Sequence, residues 1–170
     1  MPVTQFNLAT GQRAERKLLI TVAEWMEGTT PVREILGTRT EDSSIEYNPD
    51  IETTTDILGI NYTDMNRTQP QQDFDPFLVL GGSKLGALLN DIRRRNALSE
   101  LNQFTVYIIT AYVGTAGAYA AEKQTGCTIA YNSLGGDTNV NFPISVYYSN
   151  KTVTGTVDKL ADDFTFTADT

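Results

Sequence analysis

Residues Phe142–Val157 read FPISVYYSNKTVTGTV, and their alternation decides the fold class. Phe142, Ile144, Val146 and Tyr148 fall on one side of an extended chain, with Pro143, Ser145 and Tyr147 on the other. Thr152, Thr154 and Thr156 then alternate with Val153, Gly155 and Val157. A period of two fits a pleated strand with one buried face and does not fit a helix. Pro143 has no N–H to donate, so this strand is expected at a sheet edge or irregular there. Ser149-Asn150-Lys151 reads as a short hairpin turn between the two strands.

The same pattern extends outward. The chain holds 24 Thr and many Val, Ile, Tyr and Phe, residues that suit pleated, half-buried surfaces. Phe104–Tyr112, FTVYIITAY, is apolar on both faces and predicts a central strand; Lys17–Ala23, KLLITVA, is similar. Further strands are expected at Val32–Leu36, Ser44–Tyr47, Thr53–Tyr62, Ala118–Tyr131 and Asp163–Thr167. One segment departs from the pattern. Leu85, Leu88, Leu89 and Ile92 fall at helical spacing, with Ser83 as N-cap, Arg93, Arg94 and Arg95 in the last turns and Asn96 as the stop. The expected architecture is mainly β: a β-sandwich or barrel with one flanking helix over about 84–96. A single domain over 1–170 is expected, with an N-terminal arm over 1–16 and a projecting hairpin over about 40–60.

Composition narrows the chemistry. The chain has no His, which removes Ser-His-Asp and Cys-His catalysis and His-based zinc sites. Cys127 is the single cysteine, so it forms no intrachain disulfide; its Thr-rich setting reads as a buried, unreactive thiol. The expectation is a non-enzyme with no cofactor and no metal. A net charge of −8 disfavours ordinary nucleic-acid binding and adsorption to acidic lipid. The polar N-terminus reads as that of a chain made in a cytoplasm. Gly81-Gly82-Ser83-Lys84 lacks the spacing of a phosphate loop and reads as a helix start. Asp73-Phe74-Asp75-Pro76 reads as a polar turn without the spacing of a calcium loop. Arg93–Arg95 compensate the helix dipole or dock on a neighbouring copy.

Glu41–Leu58, EDSSIEYNPDIETTTDIL, carries six carboxylates and no Lys or Arg. Its limbs, Ser44–Tyr47 and Ile51–Tyr62, predict a long hairpin turning at Asn48-Pro49-Asp50. Excursions of this length tend to be functional or disordered, and a projecting acidic hairpin bearing Ile45, Tyr47 and Ile51 fits a contact with a partner. Glu41, Asp42, Glu46, Asp50, Glu52 and Asp56 are therefore candidate contact residues.

Together these features resemble a major tail tube protein of long-tailed, siphovirus-type bacteriophages. The resemblance runs from about Leu18 to Phe166. It rests on Trp25 closing an early strand with Gly28 behind it, the acidic EYNPDIETTTDILG, and Asp75-Pro76-Phe77 leading to the helix. Gly135-Gly136-Asp137, FPISVYYSNKTVTGTVD and the closing Phe164-Thr165-Phe166 complete it. The resemblance implies a β-sandwich or barrel with a helix, six copies to a ring, and inner sheets joined around a pore. It implies rings stacked on an initiator around a tape-measure protein, closed by a terminator. It places the chain in the virion tail, made in a bacterial cytoplasm, with DNA passing through the lumen without specific binding. The six carboxylates would then lie at inter-ring contacts or near the lumen, and Arg93, Arg94 and Arg95 would dock subunits. Rival readings are a carbohydrate-binding β-sandwich using Tyr147 and Tyr148, a tail terminator or capsid decoration protein, and, last, a carboxylate enzyme.

Overall fold

The computed structural model describes residues 5–170. Its strands are β1 (Leu19–Glu27), β2 (Thr30–Ile35), β3 (Ile45–Glu46), β4 (Asp50–Thr55), β5 (Asn61–Arg67), β6 (Gln71–Phe74), β7 (Phe104–Thr115), β8 (Ala118–Tyr131), β9 (Ile144–Tyr147), β10 (Thr152–Val157) and β11 (Phe166–Ala168). One α-helix, α1 (Lys84–Arg95), sits between β6 and β7.

The long strand β8 organises the fold. Its first half pairs with β7 and β10 and continues into a leaf ordered β2-β1-β7-β8-β10-β11. Its second half pairs with β9 and continues into a second leaf, β8-β9-β6-β3. Every pairing is antiparallel. The leaves face each other across one core. Ala23, Trp25, Phe104, Val106 and Ile108 come from the first leaf, and Phe74, Ile129, Ile144 and Val146 from the second. The mainly β architecture expected from the sequence is what forms, with a single helix packed on it.

The outer face of the first leaf is covered as well. Val22, Tyr107, Ile109 and Val157 pack under Leu160, Phe164 and Phe166 of the C-terminal segment. This double burial explains why FTVYIITAY and KLLITVA are apolar on both faces: β7 and β1 lie between two apolar layers.

Helix α1 forms as its sequence predicts. Ser83 Oγ accepts from Gly86 N at 3.1 Å, and Asn96 ends the helix in the left-handed region at φ 53°. Leu85, Leu89 and Ile92 enter the core beside Trp25, Phe77 and Phe104.

Three expectations are corrected. Ser149–Lys151 is not a hairpin turn, because β9 and β10 do not pair with each other. They lie end to end along the same edge of β8, with Tyr147 opposite Thr128 and Thr152 opposite Gln124. The interruption is a local irregularity in one long path, with Asn150 at φ 60°. Second, β9 is not an edge strand, since β8 and β6 flank it. Pro143 stands just before it and contributes its carbonyl to Asn132 N at 2.8 Å. Third, the projecting hairpin covers 50–67 rather than 40–60. Ile45 and Glu46 pair with β6 as the edge of the second leaf, while β4 and β5 form a separate two-stranded sheet.

The turn of that hairpin is Asp56–Ile60, within the segment expected as a single strand over Thr53–Tyr62. Asp56 Oδ1 accepts from Leu58 N at 2.8 Å and from Ile60 N at 2.9 Å, and Gly59 supplies a φ of +78°. Asn48-Pro49 is a kink at the base, where Asn48 Nδ2 donates to the carbonyls of Glu46 and Gln69. Of the expected N-terminal arm, residues 1–4 lie outside the described residues. The remainder is tied to the end of β7: Asn7 N donates to Tyr112 O at 3.0 Å, and Phe6 meets the Tyr112 ring edge-on at 5.8 Å.

Candidate functional site

The two outer faces of the sandwich differ in chemistry. The first leaf is sealed by the C-terminal segment. The second leaf is bare. Alternation along its strands points Phe74, Ile129, Ile144, Val146 and Gln72 inward, where each is buried. The same alternation points Glu46, Gln71, Asp73, Thr128, Ala130, Ser145 and Tyr147 to the other face, where Glu46, Asp73 and Tyr147 are exposed, Gln71, Thr128 and Ala130 half-buried, and Ser145 buried beneath its hydrogen-bond partners. Register places Glu46, Gln71, Tyr147 and Thr128 in one row across the sheet, and Asp73, Ser145 and Ala130 in the next. No Lys or Arg occurs on β3, β6 or β9, nor on the part of β8 that belongs to this leaf. Asp42 joins Glu46 and Asp73 around a shallow groove at the leaf's edge.

This face is tied together by its own hydrogen bonds. Ser145 Oγ donates to Asp73 Oδ1 at 2.6 Å and accepts from Asn132 Nδ2 at 2.8 Å. Gln71 Nε2 donates to Asp73 Oδ1 at 3.0 Å.

The six acidic candidates divide three ways. Asp42 and Glu46 lie at this face. Asp50, Glu52 and Asp56 belong to the hairpin. Glu41 lines a different cleft, beside Arg16 and Phe74. Asp73 and Asp64 were not among the candidates. The alternation Gln71-Gln72-Asp73-Phe74 around a buried Phe74 was the available signal for Asp73.

The hairpin is two-faced. Ile51 pairs with Met65 and Thr53 with Thr63 on one side, while Glu52 stands opposite Asp64 on the other. Its one ion pair joins Arg67 to Asp50 at 3.3 Å. Asp56 is held below the usual carboxylate range, first by the Ile60 N–H and then by those of Leu58 and the Tyr62 hydroxyl. At the tip, Ile57 is 102% and Leu58 78% exposed.

The three arginines of α1 are not equivalent. Arg95 is committed within the chain, to Asp91 at 2.7 Å and to both Glu100 oxygens at 2.9 and 3.0 Å. Arg93 donates only to Asn90, and Arg94 has no ion-pair partner among the described residues.

Other chemistry is closed off. The N-terminus of α1 offers backbone N–H groups as a phosphate loop would, but Glu34 fills it. Its Oε2 accepts from Lys84 N at 2.6 Å and Leu85 N at 2.8 Å. Cys127 is fully buried and its thiol is pushed up by that burial. Tyr148 is buried with its hydroxyl on Gln72, so Tyr147 and Tyr148 do not form an exposed aromatic pair. Among the described residues, no group of three or more His, Cys, Asp or Glu is placed to hold a metal ion.

No family model matches the chain, and no curated protein sequence matches it. Among solved structures, the chain is similar to one from the PVC sheath-tube complex of an extracellular contractile injection system in the extended state. That match has a TM-score of 0.47 and 11% identity over 87% of this chain and 95% of the other. It is also similar to a chain of the six-fold symmetrised baseplate of the anti-feeding prophage (AFP). There the TM-score is 0.46, with 10% identity over 86% of this chain and 97% of the other.

Proposed function

We propose that this chain is a structural, non-enzymatic subunit of a phage tail tube, assembling as homo-hexameric rings that stack around a DNA conduit. The observation that carries the reading is the bare outer face of the second leaf. It is hydrogen-bonded and carboxylate-bearing, and its strands have no cation. Double-stranded DNA carries one phosphate per about 1.7 Å of axis, so basic groups on a channel wall would hold it in place. A wall of carboxylates and neutral hydroxyls keeps a hydrated gap instead. In this reading Glu46 and Asp73 face the lumen, with Asp42 at the margin. The hairpin with Asp50, Glu52 and Asp56 contacts the next ring, and Arg93 and Arg94 serve contacts between subunits. A tape-measure protein fills the lumen before DNA does, and initiator and terminator proteins bound the stack. The tail of the virion is the site of action.

One further feature supports assembly over a solitary domain. The edge strand β2 has no partner on its outer side among the described residues, and so offers a six-residue open edge for a further copy to pair with. Electron microscopy of the concentrated protein tests the reading: stacked rings with an open, negatively charged lumen are expected. A protein that remains monomeric at every concentration, or rings lined by Lys and Arg, would overturn it.

A further inference from the structure

We infer that the Asp56–Ile60 tip of one copy seats in a specific cleft of a second copy, at the end of the second leaf remote from its own hairpin. This rests on the tube reading and names the acceptor surface within it. The acceptor is a cleft of about 470 Å³ with an apolar floor of Ile20, Ile35, Leu36 and Phe74 and with Arg16 and Glu41 on its walls.

Four observations converge on this occupant. The tip presents Ile57 and Leu58 to solvent almost in full, and every residue of β4 and β5 is exposed. A two-stranded hairpin alone is marginal in water, so a persistent one needs a surface to lie on. Its apolar tip matches the apolar floor, and the cleft has room for two branched side chains.

Charge selects the same partner. Glu52 directly opposite Asp64 is an unfavourable cross-strand pair; the neutral Asn66 amide donates to Glu52 at 3.2 Å, and neither carboxylate has an ion-pair partner among the described residues. Beside the cleft, Arg16 donates to the carbonyls of Leu19 and Ser43 and meets no carboxylate, and exposed Arg39 has no ion-pair partner among the described residues.

Position then fixes the mode of association. The hairpin leaves the sheet at the Gln71 end of β6, beside Tyr147 and Asn150. The cleft lies at the Phe74 end of the same strand. The hairpin base and the acceptor therefore lie at opposite ends of β6, and the tip of a copy does not sit in its own cleft. Such a contact is head-to-tail, and between the rings of the tube reading it repeats along the tube axis.

Two singly substituted preparations, Leu58→Cys and Thr38→Cys, test the contact when mixed, assembled and oxidised; Thr38 lines the cleft. A cross-linked dimer of the two chains is expected on a denaturing gel, and neither preparation alone should give it in comparable amount. Leu58→Asp should raise the protein concentration needed for tubes by about tenfold to a hundredfold, the loss of one buried leucine per contact. Its circular dichroism should be unchanged. Tubes that form normally from Leu58→Asp, or wild-type-like tubes without the cross-link, overturn the cleft assignment and leave the tube reading standing. A wild-type protein that never forms tubes overturns both.

Discussion

Glu34 on β2 accepts the Ser83 hydroxyl at 2.8 Å while also receiving the Lys84 and Leu85 N–H groups, so a strand carboxylate caps the helix from outside its own sequence. Ser83 thereby acts twice, as the N-cap of α1 and as a donor to the sheet. The contact unites helix-dipole stabilisation with a tertiary anchor. Glu34→Ala should cost about 1–2 kcal/mol in urea unfolding, the range for a lost cap and charge-assisted hydrogen bonds. Glu34→Gln keeps one acceptor and should cost less. Equal losses for the two variants would mean that the charge contributes nothing.

Gln72 is an amide buried in the sandwich core, 1% exposed, and its Oε1 receives both the Thr21 hydroxyl at 2.9 Å and the Tyr148 hydroxyl at 2.7 Å. Its Nε2 donates to Ser43 Oγ at 3.1 Å. The amide links β1, β6 and the chain after β9 across the two leaves. Gln72→Leu strands two buried hydroxyls and should cost about 2–4 kcal/mol. Adding Thr21→Val and Tyr148→Phe removes the stranded groups, and the triple variant should recover a substantial part of that loss. If the three losses simply add, the hydroxyls were never dependent on Gln72.

Tyr107 contributes to the alkaline limb of stability, alongside Tyr148, whose pKa burial also raises. Its ring lies under Phe164, with centroids 4.9 Å apart, and its hydroxyl reaches both Glu24 oxygens at 3.3 Å. Burial, then the Glu24 charge, pushes its pKa up to about 12. An unfolded tyrosine ionises near about 10, so above that pH the unfolded state binds fewer protons than the folded one. The stabilising contribution is complete below about pH 10 and is lost as pH rises towards 12, by up to about 3 kcal/mol. Urea midpoints measured from pH 9 to 12 should fall more steeply for wild type than for Tyr107→Phe. Parallel declines would assign the alkaline loss to other groups.

What could be read from the sequence follows the range of the interactions. Alternation and helical spacing are local, so the helix with its Ser83 and Asn96 ends, the inward set Phe142, Ile144, Val146 and Tyr148, and the full length of β8 were all legible. Pairing is not local. Nothing within Phe142–Val157 reveals that β9 and β10 share one edge of β8 instead of pairing, because a three-residue Ser-Asn-Lys break serves a kink or a reversal equally well. The hairpin was displaced for a related reason. Asn48-Pro49 and Asp56-Ile57-Leu58-Gly59 are both turn signals, and only the pairing of Ile45 with Gln72 commits the first limb to the main sheet. Of the acidic candidates, charge alone could not separate those on the second leaf from those on the hairpin; sheet register does.

That separation yields two opposite phenotypes from similar charge reversals. Glu46→Lys with Asp73→Lys places cations on the bare face of the second leaf, whereas Glu52→Lys with Asp64→Lys places them on the hairpin. Glu46, Glu52 and Asp64 are exposed and make no ion pair among the described residues, so reversing them should shift stability by only about 0.5 kcal/mol each. Asp73→Lys loses the hydrogen bonds from Ser145 and Gln71 and should cost somewhat more, about 1–2 kcal/mol. The face variant should still build tubes, seen by electron microscopy, while particles carrying it release DNA more slowly and with a stronger dependence on salt. The hairpin variant should fail earlier, at stacking, because cations then face Arg16 and Arg39. Tubes of normal yield from the hairpin variant, with DNA release also unchanged in the face variant, would remove both surfaces from the roles assigned to them.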